Sequence, residues 1–140
     1  LRTSLSKALP GAPLIGYEGA SDDEQKLLLR ASSDKDPGTL YLLDRATKQM
    51  RPLMLVRPEL QGYTLAEVRS VQVRAGDGTM IPAYLTSPPG SAGKNLPAIV
   101  MPHGGPESRD EWGFDWLAQY FAHQGFVVLQ PNFRGSAGYG

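Results

Sequence analysis

No cysteine occurs in the 140 residues. A disulfide framework, a thiolate nucleophile and a cysteine-ligated zinc site are therefore excluded. The same absence fits cytoplasm and periplasm alike and leaves the compartment open. Only two histidines are present, His103 and His123, with no close carboxylate cluster, so the sequence offers no donor set for a metal and calls for no cofactor. Surplus charge is missing too: fourteen basic and fourteen acidic side chains cancel, which speaks against a nucleic-acid or anionic-membrane partner. No apolar run approaches the ~20 residues that span a bilayer. Leu1 to Pro13 lacks the charged start, long apolar centre and small-residue cleavage site of a signal peptide. The chain opens on leucine and closes on the glycine-rich run Arg134 to Gly140, with no element after it, so it is expected to be an internal piece of a longer protein.

What is present is most concentrated in Ile99-Val100-Met101-Pro102-His103-Gly104-Gly105-Pro106, an apolar run that breaks into two adjacent glycines. A strand that ends this way frees backbone amides to point at a bound oxygen. A Cβ would crowd that approach, and glycine also reaches positive φ.

The first part of the chain reads as short antiparallel strands. Lys26 to Ala31 and Thr39 to Leu43 are joined by the polar run Ser32 to Gly38, and Met50 to Val56 follows the turn Asp44 to Gln49. Such a meander suits a sandwich or a propeller blade. Three strands alone would expose their edges, which implies neighbouring chain beside them or association through those edges. Residues 1–57 are assigned to this meander. Residues 58–68, with proline, glycine and no periodicity, are assigned to a linker.

Beyond it, Arg69 to Arg74 alternates with period two, Ala75-Gly76-Asp77-Gly78 supplies a hairpin turn, and Thr79 to Thr86 returns. Leu96 to Met101 is nearly all apolar, as expected of a strand covered on both faces. Glu111 to Gln124 places Trp112, Trp116, Leu117, Tyr120 and Phe121 on one helical face. Asp110 is the expected cap and Gly125 the expected stop. Phe126 to Leu129 is the next strand. Residues 69–140 thus run hairpin, strand, helix, strand. The order matches the opening half of an α/β-hydrolase sheet, in which the loop after the third strand supplies an oxyanion-hole amide. The fold class expected is α/β, the first half of such a sheet preceded by antiparallel strands.

Pro102-His103-Gly104-Gly105-Pro106, Arg109 to Asp115 and Gln130 to Gly140 together resemble the prolyl oligopeptidase family of serine peptidases, closest to its acylaminoacyl-peptidase and dipeptidyl-aminopeptidase branch. The resemblance implies a β-propeller joined to a C-terminal α/β-hydrolase domain, with the early strands as the last propeller blade. It implies a short peptide as substrate. It also implies that Gly104 and Gly105 belong to the oxyanion loop, with the Gly105 amide favoured as donor. Some branches carry a tyrosine hydroxyl where His103 stands, so backbone donation is expected here. The triad serine, aspartate and histidine are implied beyond Gly140, which leaves the chain truncated before its nucleophile and inactive alone. Two other functions stay open: an esterase or lipase of the same fold, and a non-catalytic interaction module built on the strands.

Other residues carry weaker signals. Ser91 and Ser136 sit in stretches near G-x-S-x-G, but each has the wrong residue at the first glycine and no helix after it. Both are taken as flexible loop serines. His103 is expected to hold the glycine turn, since the base comes last in chain order in this fold. His123 lies near a helix end, where the dipole favours a cation. Asp110 and Glu111 fit helix capping better than paired catalysis, and Asp22, Asp23 and Glu24 fit a solvated turn. Arg134 is expected to organise its loop by pairing with a carboxylate, ahead of binding ligand at the carboxyl end of a strand. Gly135, Gly138 and Gly140 do not match the dinucleotide fingerprint.

Overall fold

A computed structural model describes residues 2–105 and 107–139, so Pro106 of the glycine motif and Gly140 of the last loop lie outside the described residues. The chain divides into two compact units, Leu1–Tyr63 and Thr64–Gly140. No helix of the described residues is long and apolar enough to cross a membrane.

In the first unit a short helix, α1 (Arg2–Ala8), precedes four strands: β1 (Leu14–Ala20), β2 (Lys26–Ser32), β3 (Thr39–Asp44) and β4 (Gln49–Leu55). They form an antiparallel sheet in sequential order β1-β2-β3-β4. β2 shows why: Leu27, Leu29 and Ala31 alternate into the interior, the period-two pattern of a half-buried strand. Leu5 of α1 joins Leu27, Leu29 and Leu43 in the core, with Ile15 and Met50 against it.

The sheet has one strand more than the three expected. β1 escapes notice because Gly16 and Gly19 dilute its apolar pattern and a bulge breaks its register between Tyr17 and Gly19. β4 tolerates Pro52 because it is the last strand of the sheet and its register with β3 shifts beside that residue, between Leu40 and Tyr41. The turn before β2 is built on Asp23, whose carboxylate accepts from Ser21 Oγ (2.6 Å) and the Gln25 amide (3.0 Å). These bonds hold its pKa below the ordinary aspartate value.

The second unit contains β5 (Val68–Arg74), β6 (Met80–Thr86), β7 (Ala98–Val100), α2 (Trp116–His123) and β8 (Val127–Pro131). Its sheet runs β5-β6-β8-β7; β5, β6 and β8 pair antiparallel, and β8 pairs parallel with β7. β7, α2 and β8 form a βαβ unit, so the last strand returns between β6 and β7. The β5–β6 turn closes through Gly78, at φ 89°, and the bond from the Ala75 amide to Thr79 O (2.8 Å). The stretch assigned as linker is partly structured: Pro58–Leu60 forms a 3-10 turn and Val68 already belongs to β5.

Two expectations fail in this unit. The face of β7 that carries Ala98 and Val100 is open, with Val100 64% exposed, and the strand, three residues long, is also the last of its sheet. Its apolar composition is written in the sequence, but among the described residues nothing pairs with its outer edge. The helix also starts later than expected. Gly113, at φ 158°, is extended, and the cap is Asp115, whose Oδ1 accepts from the amides of Leu117 (3.0 Å) and Ala118 (2.9 Å). Trp112 therefore lies before the helix, its indole N–H donating to Val68 O at 2.8 Å.

The buried face of α2 is Ala118, Gln119 and Ala122, whereas Trp116 and Tyr120 are 62% and 54% exposed. Small residues let the helix axis approach β6 and β8 closely, and the aromatics fall on its other side. Gln119 fills the remaining polar need of this interface. Its Oε1 accepts from the Ala66 amide and its Nε2 donates to Ala66 O, both at 2.8 Å.

Candidate functional site

The carboxyl ends of β7 and β8 carry the loops that hold most of the singled-out residues. β7 runs through Pro102 into His103, Gly104 and Gly105. Gly105 has φ 134°, and a Cβ on it would stand 2.9 Å from the Ser108 nitrogen and 3.0 Å from that of Glu107. Both conformation and space demand glycine there. Gly104 differs from expectation: its φ is outside the left-handed region and a Cβ would meet nothing within 4 Å. Crowding reserves only the second glycine.

His103 is held from three sides. Its Nδ1 lies 2.7 Å from Gly104 O and its Nε2 lies 2.7 Å from Ser136 Oγ. Its ring stacks on Phe133 with centroids 4.5 Å apart and planes 18° apart. A carbonyl only accepts, so Nδ1 carries a proton. In the neutral ring Nε2 then accepts from the Ser136 hydroxyl. Ser136 is 2% exposed, and its amide donates to Phe133 O at 3.0 Å. It is not the flexible loop serine expected. Burial beneath the imidazole fixes it, whereas Ser91 matches an exposed loop and donates to Pro88 O at 2.7 Å.

The loop after β8 is tied to the segment that follows the glycines. The Ala137 amide donates to Ser108 O (2.9 Å). Asn132, 2% exposed, accepts from the Asp110 amide (2.8 Å) and donates to Asp110 O (3.0 Å). Arg109 Nη2 donates to Tyr139 Oη (3.1 Å), and its guanidinium carbon sits 4.8 Å from the centre of that ring. A Cβ at Gly138 would stand 2.8 Å from Arg109 Nη1, so this glycine, at φ 85°, makes room for the cation.

Asp110 thus joins two loops instead of capping α2. Burial raises its carboxyl pKa, opposed by the nearby His103 and reinforced by Asp115. Gln130 Nε2 bridges the two carboxylates, at 3.3 Å from Asp110 Oδ1 and 3.2 Å from Asp115 Oδ2.

Arg134 lies in the same loop but turns away from the glycines. It pairs with Asp77 in the β5–β6 turn and pulls that carboxyl down to about 2. Glu111 and His123 are exposed, the latter on the last turn of α2. Among the described residues no group of three His, Cys, Asp or Glu side chains converges to hold a metal.

Sequence reasoning missed Arg109, Gln130, Asn132 and Tyr139. Their partners lie seven to thirty residues away in sequence, so no spacing rule links them. The only local signal is the glycine-rich run after a strand, which marks an organised loop.

Residues 112–140 match the model of the prolyl oligopeptidase family. Dipeptidyl aminopeptidase BIII of Pseudoxanthomonas mexicana is 32% identical over 125 residues, covering 84% of this chain and 18% of that protein. Dipeptidyl peptidase family member 6 of Caenorhabditis elegans is 36% identical over 142 residues, covering 86% of this chain and 19% of that protein. Among solved structures, Pyrococcus horikoshii acylaminoacyl peptidase superposes with a TM-score of 0.63 at 25% identity, over 89% of this chain and 19% of that one. A Mycobacterium tuberculosis puromycin-hydrolyzing peptidase gives 0.64 at 26%, over 83% and 19%. The chain thus spans just under a fifth of the curated relatives it matches. With that pattern running through α2, β8 and the loop after it, and with relatives and structural neighbours of one kind along most of its length, the chain belongs to the prolyl oligopeptidase family.

Proposed function

We propose that residues 69–140 open the α/β-hydrolase domain of a serine-type peptidase and that the Gly104–Gly105 turn is half of its oxyanion hole. The strands of residues 1–57 are the propeller blade that leads into it. The whole protein hydrolyses short peptides through an acyl-enzyme, with the serine, aspartate and histidine supplied by the rest of the full-length chain.

One observation carries the reading. A parallel strand ends in a turn whose second glycine has no room for a side chain, and among the described residues neither the Gly104 nor the Gly105 amide donates within the chain. An amide left free there suits the negative oxygen of a tetrahedral intermediate, with the amide after the nucleophile as second donor. Removing one such donor costs about 3–4 kcal/mol of transition-state stabilisation. The loop does not distinguish ester from amide. The peptidase names of the relatives and the strand meander favour peptides over the esterase alternative, and a free interaction module leaves the glycine turn unexplained.

The test is active-site labelling of the full-length protein with a fluorophosphonate, followed by peptide mapping. The label is expected on a serine outside residues 1–140, and the 140-residue chain alone should stay unlabelled. Stoichiometric label on Ser91 or Ser136 would overturn the placement of the nucleophile.

A further inference from the structure

We infer that Ser136 is a positioning residue for the Gly105 amide, acting through the tautomer of His103. The inference rests on the oxyanion reading above and adds a residue to it. Gly104 O and Gly105 N–H belong to one peptide unit. No described peptide bond is cis, so the two point in opposite directions from a planar group. Whatever holds the carbonyl therefore aims the amide.

The carbonyl is held by His103 Nδ1 at 2.7 Å, and only an imidazole protonated at Nδ1 makes that bond. A neutral imidazole has one N–H, and nothing in the ring itself reserves it for Nδ1. Ser136 adds to the preference that the Gly104 carbonyl sets: its buried hydroxyl has no other hydrogen-bond acceptor among the described residues, so its proton goes to Nε2, 2.7 Å away, and that nitrogen carries none. The serine is 2% exposed. Its turn is anchored by the bonds from Ser136 N to Phe133 O (3.0 Å) and from Ala137 N to Ser108 O (2.9 Å). The Phe133 ring, stacked at 4.5 Å, fixes the imidazole plane. Hydroxyl, imidazole, carbonyl and amide thus form one line of control.

The same Ser–His pair invites a different reading, as nucleophile and base. The geometry opposes it. The hydroxyl is buried under the imidazole, and Nδ1 faces a backbone carbonyl instead of the carboxylate that orients a catalytic histidine.

The experiment uses the full-length protein and a short peptide substrate. Ser136→Ala should lower kcat about tenfold with KM within about twofold, a fraction of the full loss expected when a donor is removed outright. His103→Asn places a side-chain amide N–H near the Nδ1 position, where it needs no tautomer. In that background Ser136→Ala should change kcat by less than about twofold, so the two effects are not additive. Nitrogen-15 spectra of the histidine side chains, with His103 assigned by its loss in His103→Asn, should show Nδ1 protonated in the parent protein and the proton shifted toward Nε2 in Ser136→Ala.

An Nε2-protonated His103 in the parent, or an equal effect of Ser136→Ala in both backgrounds, would overturn the inference. If replacing the Gly105 amide by an ester, with glycolic acid at that position, lowers kcat while Ser136→Ala does not, the oxyanion reading survives and this one fails. If neither variant lowers kcat, both fail.

Discussion

Gly105 stands so close to Ser108 that a β-carbon on it would lie 2.9 Å from the Ser108 nitrogen, while its neighbour Gly104 faces open space. The two glycines of the motif therefore serve different ends. Gly105→Ala must shift backbone or leave the left-handed region, and strain of that kind costs about 1–3 kcal/mol. Gly104→Ala should change stability by less than about 0.5 kcal/mol. Urea unfolding of the two variants checks the contrast, and equal effects would show that the turn is not shaped as described.

The bidentate clasp of Gln119 on Ala66 ties α2 to the strand entry across 53 residues. Gln119→Ala would leave a buried N–H and C=O without partners, at ~1–3 kcal/mol for each. A loss of about 2 kcal/mol or more is expected in denaturant unfolding. Asp115→Ala should cost about 1 kcal/mol as a lost cap, and Asp110→Ala should leave the start of α2 unchanged by NMR.

Arg134 holds the Asp77 carboxyl down at about 2. A depressed aspartate pKa stabilises the fold above the unfolded value near 3.9 and loses that contribution as pH falls through 2. Arg134→Met should return Asp77 toward the ordinary range in a carboxyl carbon-13 titration. Because the pair is exposed, its attraction should weaken with added salt.

Asp110 has the opposite sign. Burial raises its folded pKa, so ionisation disfavours the fold. Its contribution is best below the unfolded pKa and is lost as pH rises through the folded one. Asp110→Asn keeps an oxygen for Gln130 and removes the charge. It should raise Tm at pH 7, and the gain should vanish below pH ~3.5, where the parent carboxyl is itself neutral.

Much of the fold is legible in the sequence because its strands carry strong local patterns. Leu27, Leu29 and Ala31 alternate, and the Asp77-Gly78 turn fixes the β5–β6 hairpin. What escapes is set by tertiary context. β1 hides behind Gly16 and Gly19. Helix α2 starts at Trp116 because Gly113 is extended and Asp115 caps, although Asp110 is an equally good cap by composition. Its core face is alanine and glutamine because close approach to the sheet selects size over hydrophobicity. At the candidate site the glycine turn is visible as a motif. The partners Ser136, Asn132 and Tyr139 are not, since each meets its partner only after β8 has returned beside β7.

The central claim is that the Gly105 amide stabilises the oxyanion of a serine peptidase. Its most direct test is the kcat, on a short peptide, of full-length protein in which glycolic acid replaces Gly105, an ester that removes the N–H but adds no side chain and keeps the φ of 134° that proline cannot adopt, with thermal unfolding showing the domain intact. Loss of one donor predicts a fall of about a hundredfold or more, with fluorophosphonate labelling slowed as well. An unchanged kcat in folded protein would contradict the account.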